Sequence, residues 1–540
     1  MSSAIFTVPQ PVNETILSYA KGTSERAALE AELARQASQI LDIPIIIGGK
    51  EIRTNKRAKC CMPHDHGHIL AEYSMAGPEE LKAAANAAMK AKTAWYALPW
   101  EHRASIFLKA ADLLAGPWRM KLNAATMLGQ SKTAHQAEID SACEMADFLR
   151  FNVHFAQSIF QNQPISSPGM WNRMEYRPLS GYVAAISPFN FTAIGGNLPT
   201  APAIMGNTVV WKPASTAVFS NYLFYQLMKE AGLPDGVINF VPCSGPDMSK
   251  VILTDPRMAG FHFTGSTGVF NSCWKLVGDN IDKYDSYPRL VGETGGKDFI
   301  FAHNTASIKP LVTAMVRGAY EYQGQKCSAA SRAYIPESSW PQVKEGLLAE
   351  IDKIKVGDVR DFTNFMGAII DEKAYTSIVE YIDHAHASPD AEVLCGNYDS
   401  TKGWFITPTV ILAKTPDFKT MVEEIFGPVL TIYVYPDDAF ETTLKSCCTV
   451  SPYALTGAIF SQDRDILAYM ESMLADAAGN FYINDKPTGA VVGQQPFGGS
   501  RASGTNDKAG SILNLLRWTS PRTIKETFVP AEDVGYPFMD

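Results

Sequence analysis

Short runs of apolar residues alternate with longer amphipathic stretches over most of the chain after Gly181. Such runs predict buried strands, and the amphipathic stretches between them predict helices. The alternation is typical of parallel sheets covered by helices on both faces, so the fold class predicted is α/β. The first series predicts strands at 181–186, 208–212, 237–241, 260–263 and 289–293, with helices at 216–231, near Met248 and near Trp274.

A second series begins after a glycine-rich junction at 292–296. It predicts strands at 298–301, 332–335, 429–434 and 456–460, with helices at 308–320 and 340–354. Two series of this kind predict two α/β domains in tandem. Ligands of such domains bind at the carboxyl ends of the strands, so residues that follow strands become site candidates.

Helix-forming stretches predominate in the first 160 residues. They predict helices at 23–35, 78–97 and 101–114. Between the first two, Ile45-Ile-Ile-Gly-Gly-Lys-Glu-Ile predicts a β-hairpin with a Gly-Gly turn.

Composition narrows the classes of function. The 540 residues are 46% hydrophobic, enough for large buried cores, and at about 150 residues per domain they predict two to four domains. Forty-seven basic and 56 acidic side chains give a net charge of −9, which disfavours nucleic-acid or anionic-membrane partners. No stretch is typical of a membrane-spanning helix, and the first twenty residues match neither a secretory signal nor a transit peptide.

Nine cysteines at irregular spacings argue against a disulfide framework and for a reducing compartment. Cys60, Cys61, His64, His66 and His68 supply five soft ligands in nine residues, which raises the alternative of a zinc site. The adjacent cysteines, and an exposed strand on which the alternate histidines would project to one side, favour structural or surface histidines. We therefore predict no metal site.

Three residues are candidates for catalysis. Cys327, in the turn Gly324-Gln-Lys-Cys327, is either a nucleophilic thiol or a small core residue. Glu293, at the end of a strand and beside glycines, is either a desolvated general base or a carboxylate satisfied by the amides of the turn. Asn190 either completes an oxyanion hole or forms an Asx turn after Pro188.

The segment Phe263-Thr-Gly-Ser266-Thr-Gly predicts a strand, a turn and a helix N-terminus, an arrangement that suits an anion such as a pyrophosphate. The chain contains neither G-x-G-x-x-G nor a phosphate loop with G-K-[ST], so this segment alone identifies no cofactor.

The order of the motifs resembles the aldehyde dehydrogenase superfamily over nearly the whole chain. Longer stretches at 187–197, 323–329 and 493–508 are similar to the branch that oxidises L-glutamate γ-semialdehyde in proline catabolism, in its stand-alone eukaryotic form. The motifs are Ser187-Pro-Phe-Asn190, Lys212-Pro-Ala-Ser, Phe263-Thr-Gly-Ser266, Glu293-Thr-Gly-Gly-Lys, Gly324-Gln-Lys-Cys327, Glu424-Ile-Phe426-Gly-Pro and Pro496-Phe-Gly-Gly-Ser.

The resemblance implies a role for each candidate. Cys327 would attack the aldehyde, Asn190 would hold the oxyanion with the Cys327 amide, and Glu293 would activate water against the thioester. The implied cofactor is NAD, although Ser215 stands where many NAD-preferring relatives carry Glu, so NADP is an open alternative. The implied cofactor-binding residues are Ser187, Lys212, Gly265, Ser266, Glu424 and Phe426.

The substrate residues implied by the resemblance are Ser328, Gly489 and Ala490 around the α-carboxylate, Phe191 and Phe497 around the aliphatic chain, and Glu138 near the entrance. The implied fold is two tandem parallel-sheet α/β domains of the aldehyde dehydrogenase type with a small β-flap. Residues 1–160 and 181–294 would bind NAD, 295–485 would carry the nucleophile, and 161–180 with 486–540 would form the flap and C-terminal segment.

The resemblance further implies a homodimer, with higher oligomers open, and a place in the mitochondrial matrix, with the cytoplasm as the alternative. Two other functions remain. A CoA-acylating semialdehyde dehydrogenase would typically lack the base Glu293, and a non-catalytic relative would tolerate loss of Cys327 or Asn190. All three residues are present. A dehydrogenase acting on a different semialdehyde is also an alternative.

Overall fold

Two seven-stranded sheets form the framework of the computed structural model, which describes residues 4–539. In the first sheet, five strands run parallel and a hairpin extends one edge in the antiparallel direction. Its strands in spatial order are Arg289–Glu293, Met258–Thr264, Tyr182–Ile186, Val209–Lys212, Ile238–Phe240, Ile45–Ile47 and Lys50–Ile52.

The second sheet contains six parallel strands and one antiparallel edge strand. The prediction of two α/β units in tandem is therefore confirmed. The strands in spatial order are Ala391–Cys395, Thr409–Ala413, Val429–Tyr435, Ala330–Pro336, Asp298–Ala302, Thr456–Phe460 and Asn480–Ile483.

Each sheet is buried on both faces, because alternate residues of its central strands enter different cores. In the first sheet Val183 and Ala185 join one hydrophobic cluster, while Tyr182 and Ala184 join another. In the second sheet Phe299 and Ile300 are likewise divided between two clusters. This explains why the strands are continuous apolar runs in the sequence, without alternating apolar and polar residues.

Helices cover the faces of both sheets. Helix Ile308–Tyr320 and strand Thr456–Phe460 have the predicted bounds. The helix predicted from residue 216 begins at Val218, because Ser215–Ala217 form a 3-10 turn. The α-helices are Ser24–Ala37, Pro78–Ala97, Trp100–Ala115, Arg119–Gln130, Ala134–Ala137, Met145–Gln161, Thr192–Ile204, Val218–Ala231, Gly245–Val251, Thr267–Asp279, Ile308–Tyr320, Trp340–Ile351, Glu372–Ala387, Lys419–Val422, Phe440–Thr449, Arg464–Met473 and Ile512–Leu516.

The predicted Gly-Gly hairpin is confirmed. Gly48 and Gly49 have φ values of 57° and 77°, in the left-handed region that a tight two-residue turn requires. A π-helix, Glu138–Glu144, lies between the helices Ala134–Ala137 and Met145–Gln161. Further 3-10 turns are Ile281–Lys283, Glu321–Gly324, Asp437–Ala439 and Pro537–Met539.

Four smaller sheets complete the fold. A flap pairs two eight-residue strands, Met170–Arg177 and Ser520–Thr527. The other three are Leu41–Ile43 with Asp65–Ser74 and Arg57–Met62, Tyr398–Asp399 with Phe405–Ile406, and Tyr453–Ala454 with Ser500–Arg501.

The strands of the two large sheets and of the flap do not cross the predicted boundaries, whereas the small sheet of Tyr453–Ala454 with Ser500–Arg501 joins two of the predicted pieces. All strands of the first sheet lie within 1–160 and 181–294, those of the second lie within 295–485, and the flap strands lie within 161–180 and 486–540. The assignment of cofactor binding, catalysis and assembly to these pieces stays a prediction. Within residues 4–539, no helix is long and apolar enough to cross a membrane.

The prediction that three histidines project from one side of an exposed strand is wrong. His64 lies in the turn between strands Arg57–Met62 and Asp65–Ser74, where it is buried. Its ring contacts the Ser131 hydroxyl at 3.2 Å, whereas His66 and His68 contact the carbonyls of Ser400 and Ala37. No group of three or more metal-ligating side chains converges in the described part of the chain.

Candidate active site

The predicted catalytic and cofactor residues gather where parallel strands of the first sheet end. Neighbouring strands that run in one direction bring the residues after them to one edge of the sheet. The edge holds Asn190 after strand Tyr182–Ile186, Lys212 at the end of Val209–Lys212, Ser266 after Met258–Thr264 and Glu293 at the end of Arg289–Glu293.

Cys327 lies in a turn between the 3-10 segment Glu321–Gly324 and strand Ala330–Pro336. The thiol belongs to a half-buried residue. Burial raises the pKa of the Cys327 thiol well above its usual range, and the carboxylates of Asp298 and Glu293 raise it further. A thiol in these surroundings needs a base before it can act as a nucleophile.

Asn190 is buried beside this turn. Its Nδ2 donates a hydrogen bond of 2.9 Å to the backbone carbonyl of Gln325, two residues before Cys327. A side-chain amide has two N–H groups, so one of them stays available for another acceptor. The structure therefore brings Asn190 and Cys327 together, as an oxyanion site requires.

Glu293 is the carboxylate at this edge of the first sheet. Burial raises its pKa well above the ordinary value, and the Gly499 backbone N–H and Lys508 offset only part of that effect. Its Oε2 is buried and accepts no hydrogen bond from the described residues. A desolvated oxygen without a donor is well suited to accept a proton from a thiol or a water molecule.

Glu424 approaches the same place from the second sheet. Its Oε1 accepts a hydrogen bond of 2.9 Å from the Gly296 N–H, and a Cβ at Gly295 would collide with its carboxylate. A Cβ at Gly296 would collide with the Cys327 carbonyl, so the glycine pair allows Glu424 and Cys327 to lie close together. Burial raises the pKa of Glu424 to about 7.

Phe426, two residues after Glu424, has a left-handed backbone conformation with φ of 60°. Its ring packs in a T-shaped arrangement with the ring of Phe189, and the two ring centroids are 5.8 Å apart. Ser187 is also at this edge, where its hydroxyl accepts a hydrogen bond of 3.0 Å from the Trp211 indole. Gly265 donates its N–H to the Glu293 carbonyl at 3.2 Å.

An open cleft of about 570 Å³ lies beside the N-terminus of helix Thr267–Asp279. Ser266 caps that helix, since its hydroxyl accepts a hydrogen bond of 3.4 Å from the Val269 N–H. Helix N-terminal amides of this kind bind phosphate oxygens. The residues lining the cleft are Ser249, Ser266, Gly268, Val269, Ser272, Cys273 and Leu276.

Lys212 has no carboxylate partner within hydrogen-bond distance in the described chain, and its Nζ contacts only the Pro213 carbonyl, at 3.4 Å. Burial lowers its pKa. A dinucleotide offers ribose hydroxyls and a pyrophosphate. Three features of this site suit such a ligand: the buried Lys212 amine, the helix N-terminus beside the cleft and the Glu424 carboxylate.

The predicted substrate residues lie around the nucleophile turn. The Ser328 hydroxyl contacts the Thr488 hydroxyl at 2.8 Å, which joins the turn to the loop that carries Gly489 and Ala490. Gly489 has φ of 97°, a conformation that favours glycine. Phe497 precedes two glycines on the same loop and pairs with Ala509 through the backbone.

Phe191 directly follows Asn190. Its ring lies 3.9 Å from the Nζ of Lys132, which is fully buried and paired with Asp140 at 2.7 Å. A cation at this distance from a ring face is attracted to it, so the Lys132 ammonium fixes the position of the Phe191 ring.

The structure does not bring Glu138 to this group. Glu138 is 0% exposed, and both of its oxygens are occupied. Oε1 accepts the Leu17 N–H at 2.8 Å and Oε2 accepts the Tyr19 hydroxyl at 2.7 Å, while Arg119 pairs with the carboxylate. Burial would raise its pKa, but these donors outweigh burial and the pKa is lowered. Glu138 is therefore not available to a substrate.

Glu144, at the other end of the same π-helix, is the residue that the sequence did not single out. It is half-buried, and no hydrogen bond or ion pair to its carboxylate is present among the described residues. Burial raises its pKa to about 8, with Asp140 raising it further and Lys132 and Lys326 lowering it. Lys326 immediately precedes Cys327, so Glu144 lies at the candidate site. Its only sequence signal was an acidic residue six positions after Glu138.

Comparison with known proteins identifies the family of this chain. The sequence model of the aldehyde dehydrogenase family matches residues 51–524. The chain is 56% identical over 536 residues to the mitochondrial delta-1-pyrroline-5-carboxylate dehydrogenase of Dictyostelium discoideum, covering 98% of this chain and 96% of that protein. The mitochondrial human enzyme of the same name is 48% identical over 529 residues, with 98% and 94% covered.

Solved structures give the same result. The crystal structure of the delta-pyrroline-5-carboxylate dehydrogenase from Mycobacterium tuberculosis bound with NAD superposes with a TM-score of 0.97 at 53% identity, covering 100% of both chains. The NAD-bound 1-pyrroline-5-carboxylate dehydrogenase from Thermus has a TM-score of 0.91 at 32% identity, with 97% and 100% covered.

Proposed function

Since the chain belongs to the aldehyde dehydrogenase family, we propose that it oxidises L-glutamate γ-semialdehyde, the open form of Δ1-pyrroline-5-carboxylate, to L-glutamate with NAD. The observation that carries the chemistry is the meeting of four side chains at one place. Asn190 reaches the Cys327 turn through the Gln325 carbonyl, and Glu424 reaches it through Gly296. Glu293 ends the strand beside them.

Cys327 is the proposed nucleophile. Its sulfur adds to the aldehyde carbon, and the thiol proton leaves to a base, which gives a thiohemiacetal whose oxyanion meets the free N–H of Asn190 and the Cys327 amide. NAD, when bound, takes up the hydride from that carbon. The product on the enzyme is a thioester of Cys327.

Glu293 is the proposed base. Its unbonded Oε2 accepts a proton from water as the water oxygen attacks the thioester carbonyl, and the thiol is released with the free carboxylic acid. The same oxygen can receive the thiol proton in the first step. Burial raises the pKa of this carboxyl, so its carboxylate is a stronger base toward water and the Cys327 thiol.

The proposed cofactor residues would each bind a different part of the dinucleotide. Lys212 and Glu424 would bind the two riboses, while Ser266 and the amides after Gly265 would bind the pyrophosphate. Phe426 would pack near the nicotinamide, beside Ser187. No carboxylate stands at Ser215 to repel a 2′-phosphate, but the NAD-bound relatives named above support NAD as the cofactor.

The proposed substrate residues would favour an amino-acid semialdehyde. Ser328 and the N–H groups of Gly489 and Ala490 would hold the α-carboxylate, and Phe191 and Phe497 would enclose the aliphatic chain. Glu144, once it has released its proton, would supply the negative charge that suits the α-ammonium, and it replaces Glu138 in this proposal.

A direct assay tests the function. The purified protein with Δ1-pyrroline-5-carboxylate and NAD should form NADH, followed by absorbance, and L-glutamate without added CoA. Cys327→Ala should abolish NADH formation and retain NAD binding, measured by calorimetry. Absence of glutamate from the wild-type reaction would refute the proposed function, whereas full activity of Cys327→Ala would refute only the assignment of the nucleophile.

We further propose a homodimer in the mitochondrial matrix. The flap Met170–Arg177 with Ser520–Thr527 supports the dimer, because within residues 4–539 its strands pair only with each other. The names of the Dictyostelium and human relatives support the compartment. Fractionation of cells that express the protein tests the compartment, with the cytoplasm as the contrary result.

A further inference from the structure

An extended segment at residues 8–19, here called the N-terminal arm, crosses the helical region without forming a helix or strand. Its backbone N–H groups are bound by side chains of that region. Val8 donates to the Gln157 side chain at 2.6 Å, Glu14 donates to Asp147 at 2.7 Å, and Leu17 donates to Glu138 at 2.8 Å. The arm therefore has a defined path.

Ion pairs fix the middle of the N-terminal arm. The Glu14 carboxylate pairs with Arg119 at 2.8 Å and with Arg150 at 2.7 Å. The Arg119 side chain is buried and the others are largely so, which means that water screens these pairs less than pairs on the surface. The arm is thus held at several points before and after Asn13.

Asn13 uses its whole side chain to connect two parts of the protein. Its Nδ2 donates to Asp147 Oδ2 and to the Val492 carbonyl, each at 2.8 Å. Its Oδ1 accepts a hydrogen bond of 2.9 Å from the Gln494 side chain. Asp147 belongs to helix Met145–Gln161, so Asn13 joins this helix to the loop at 489–497.

That loop contains the proposed substrate residues. Val492 and Gln494 lie between Gly489 and Ala490 on one side and Phe497 on the other. A Cβ at Gly493 would collide with the Phe151 ring, so the loop also rests directly on helix Met145–Gln161. A shift of the Val492 carbonyl would move the amides of Gly489 and Ala490 with it, because only a few bonds separate them.

We propose that Asn13 is a positioning residue that sets the specificity for the substrate carboxylate. It holds the 489–497 loop from outside the active site, so that the Gly489 and Ala490 amides are oriented for the carboxylate before the substrate binds. The inference rests on the proposed function, in which these two amides receive the α-carboxylate. Pre-orientation of this kind improves binding because less order has to be imposed on the loop.

The test compares a carboxylated and an uncarboxylated aldehyde in the full-length protein. Asn13→Ala should raise KM for Δ1-pyrroline-5-carboxylate about fivefold, the size expected when hydrogen bonds of ordinary strength are lost. The value of kcat, the KM for NAD and the kcat/KM for propanal should stay within about twofold. Gln494→Ala, which removes one of the three bonds, should change KM in the same direction by less.

Tyr19→Phe is the matched control. It removes a buried donor from the same arm, the 2.7 Å bond to Glu138, and the hydrogen bonds of the Tyr19 hydroxyl among the described residues do not involve the 489–497 loop. It should lower the unfolding temperature without a substrate-selective change in KM. An equal loss toward both aldehydes in Asn13→Ala, or an unchanged KM in Asn13→Ala and Gln494→Ala, would overturn the inference. Failure of the wild type to oxidise the carboxylated substrate would instead refute the proposed function.

Discussion

Two glutamates of one π-helix, Glu138 and Glu144, have opposite environments. Glu138 is surrounded by donors, and its pKa is lowered despite its burial. No such donor reaches the Glu144 carboxylate in the part of the chain that the structure describes, and burial raises its pKa to about 8. A carboxylate kept in a place that disfavours its charge costs stability, and sites that bind ligands are where such costs are usual. This contrast supports Glu144 as a substrate residue.

We expect Glu144→Gln to stabilise the protein at pH 8 while weakening the enzyme. Between the ordinary pKa of 4.5 and about 8, the folded protein keeps a proton that the unfolded chain has released, so wild-type stability falls as the pH rises through this range. Glutamine removes that dependence. The unfolding temperature of the variant should exceed the wild type by about 2 °C more at pH 8 than at pH 5.

The same variant should raise KM for the semialdehyde about tenfold, because a charge-assisted bond to the α-ammonium is lost. Glu138→Gln is the control with the opposite sign. Its lowered pKa stabilises the folded protein above the ordinary pKa, so this substitution should lower the unfolding temperature at pH 8. Destabilisation by Glu144→Gln at pH 8 would contradict the argument.

Glu293 predicts a pH profile. A carboxyl acts as a base only when it is ionised, and burial raises the pKa of Glu293 well above the ordinary value. Steady-state NADH formation should therefore fall as the pH is lowered, and this acid limb should lie above the pH range of an ordinary glutamate. Glu293→Gln should give a burst of NADH followed by turnover at least about a hundredfold slower. Unchanged steady-state turnover in the variant would exclude the proposed role.

At the scale of elements, helix Thr267–Asp279 carries both a structural cap and a proposed phosphate site. Ser266→Ala removes the bond to the Val269 N–H, which should cost about 1 kcal/mol of stability. It should also raise KM for NAD several-fold, since Ser266 lines the cleft beside the helix N-terminus. Thr23→Ala removes an N-cap bond of the same length, 3.4 Å, from helix Ser24–Ala37. An equal change of KM for NAD in both variants would contradict the assignment.

The 3-10 segment before the nucleophile is strained and externally supported. Tyr322 and Gln323 have φ values of 52° and 54°, which are unfavourable for residues with a Cβ. The buried Gln323 amide donates to the carbonyls of Ser131 at 2.9 Å and Ala368 at 2.8 Å, and it accepts the Gly367 N–H at 2.9 Å. These bonds hold the conformation that precedes Cys327.

We therefore expect Gln323→Ala to lower kcat at least about tenfold and to change the rate at which iodoacetamide alkylates Cys327. Gln36→Ala is the matched control, because Gln36 is another buried glutamine, bonded to Glu32 at 2.7 Å and to the Lys121 carbonyl at 2.8 Å. Its loss should lower stability and leave alkylation unchanged. Equal alkylation rates in wild type and Gln323→Ala would show that the bonds do not position the thiol.

Some helices and strands could be predicted from the sequence, and others could not. Strands such as Tyr182–Ile186 and Asp298–Ala302 were predictable because both faces are buried and the apolar run is unbroken. The π-helix Glu138–Glu144 was not, since its hydrogen-bond spacing leaves no separate pattern of apolar positions. The burial of His64 was not predictable, because the residues that contact it, such as Ser131, are distant in sequence.

The candidate site shows the same division. Cys327, Glu293 and Asn190 stand in ordered motifs, and the structure brings them together as expected. The placement of Glu138 and Glu144 is decided by the N-terminal arm and by Lys326, contacts that no local pattern contains. Motifs predicted the positions of the proposed catalytic residues better than those of the proposed substrate-binding residues.

At the scale of the whole molecule, the flap has strand edges that its own chain leaves unpaired within residues 4–539. Met170–Arg177 and Ser520–Thr527 form a two-stranded sheet of eight residue pairs, and no further strand of the described residues pairs with either outer edge. An isolated pair of strands is marginally stable in water. Large apolar side chains beside it are exposed, among them Ile165 at 92% and Phe528 at 60%.

Free strand edges next to exposed apolar side chains are typical of a surface that another chain covers. We expect the full-length protein to elute as a dimer or larger assembly in size-exclusion chromatography with light scattering. Removal of residues 520–540 should leave a monomer, because strand Met170–Arg177 then loses its partner. Arg522→Ala, which removes an exposed pair with Glu175 within the flap, is the control that should keep the assembly. A truncated protein that still assembles would place the interface elsewhere on the molecule.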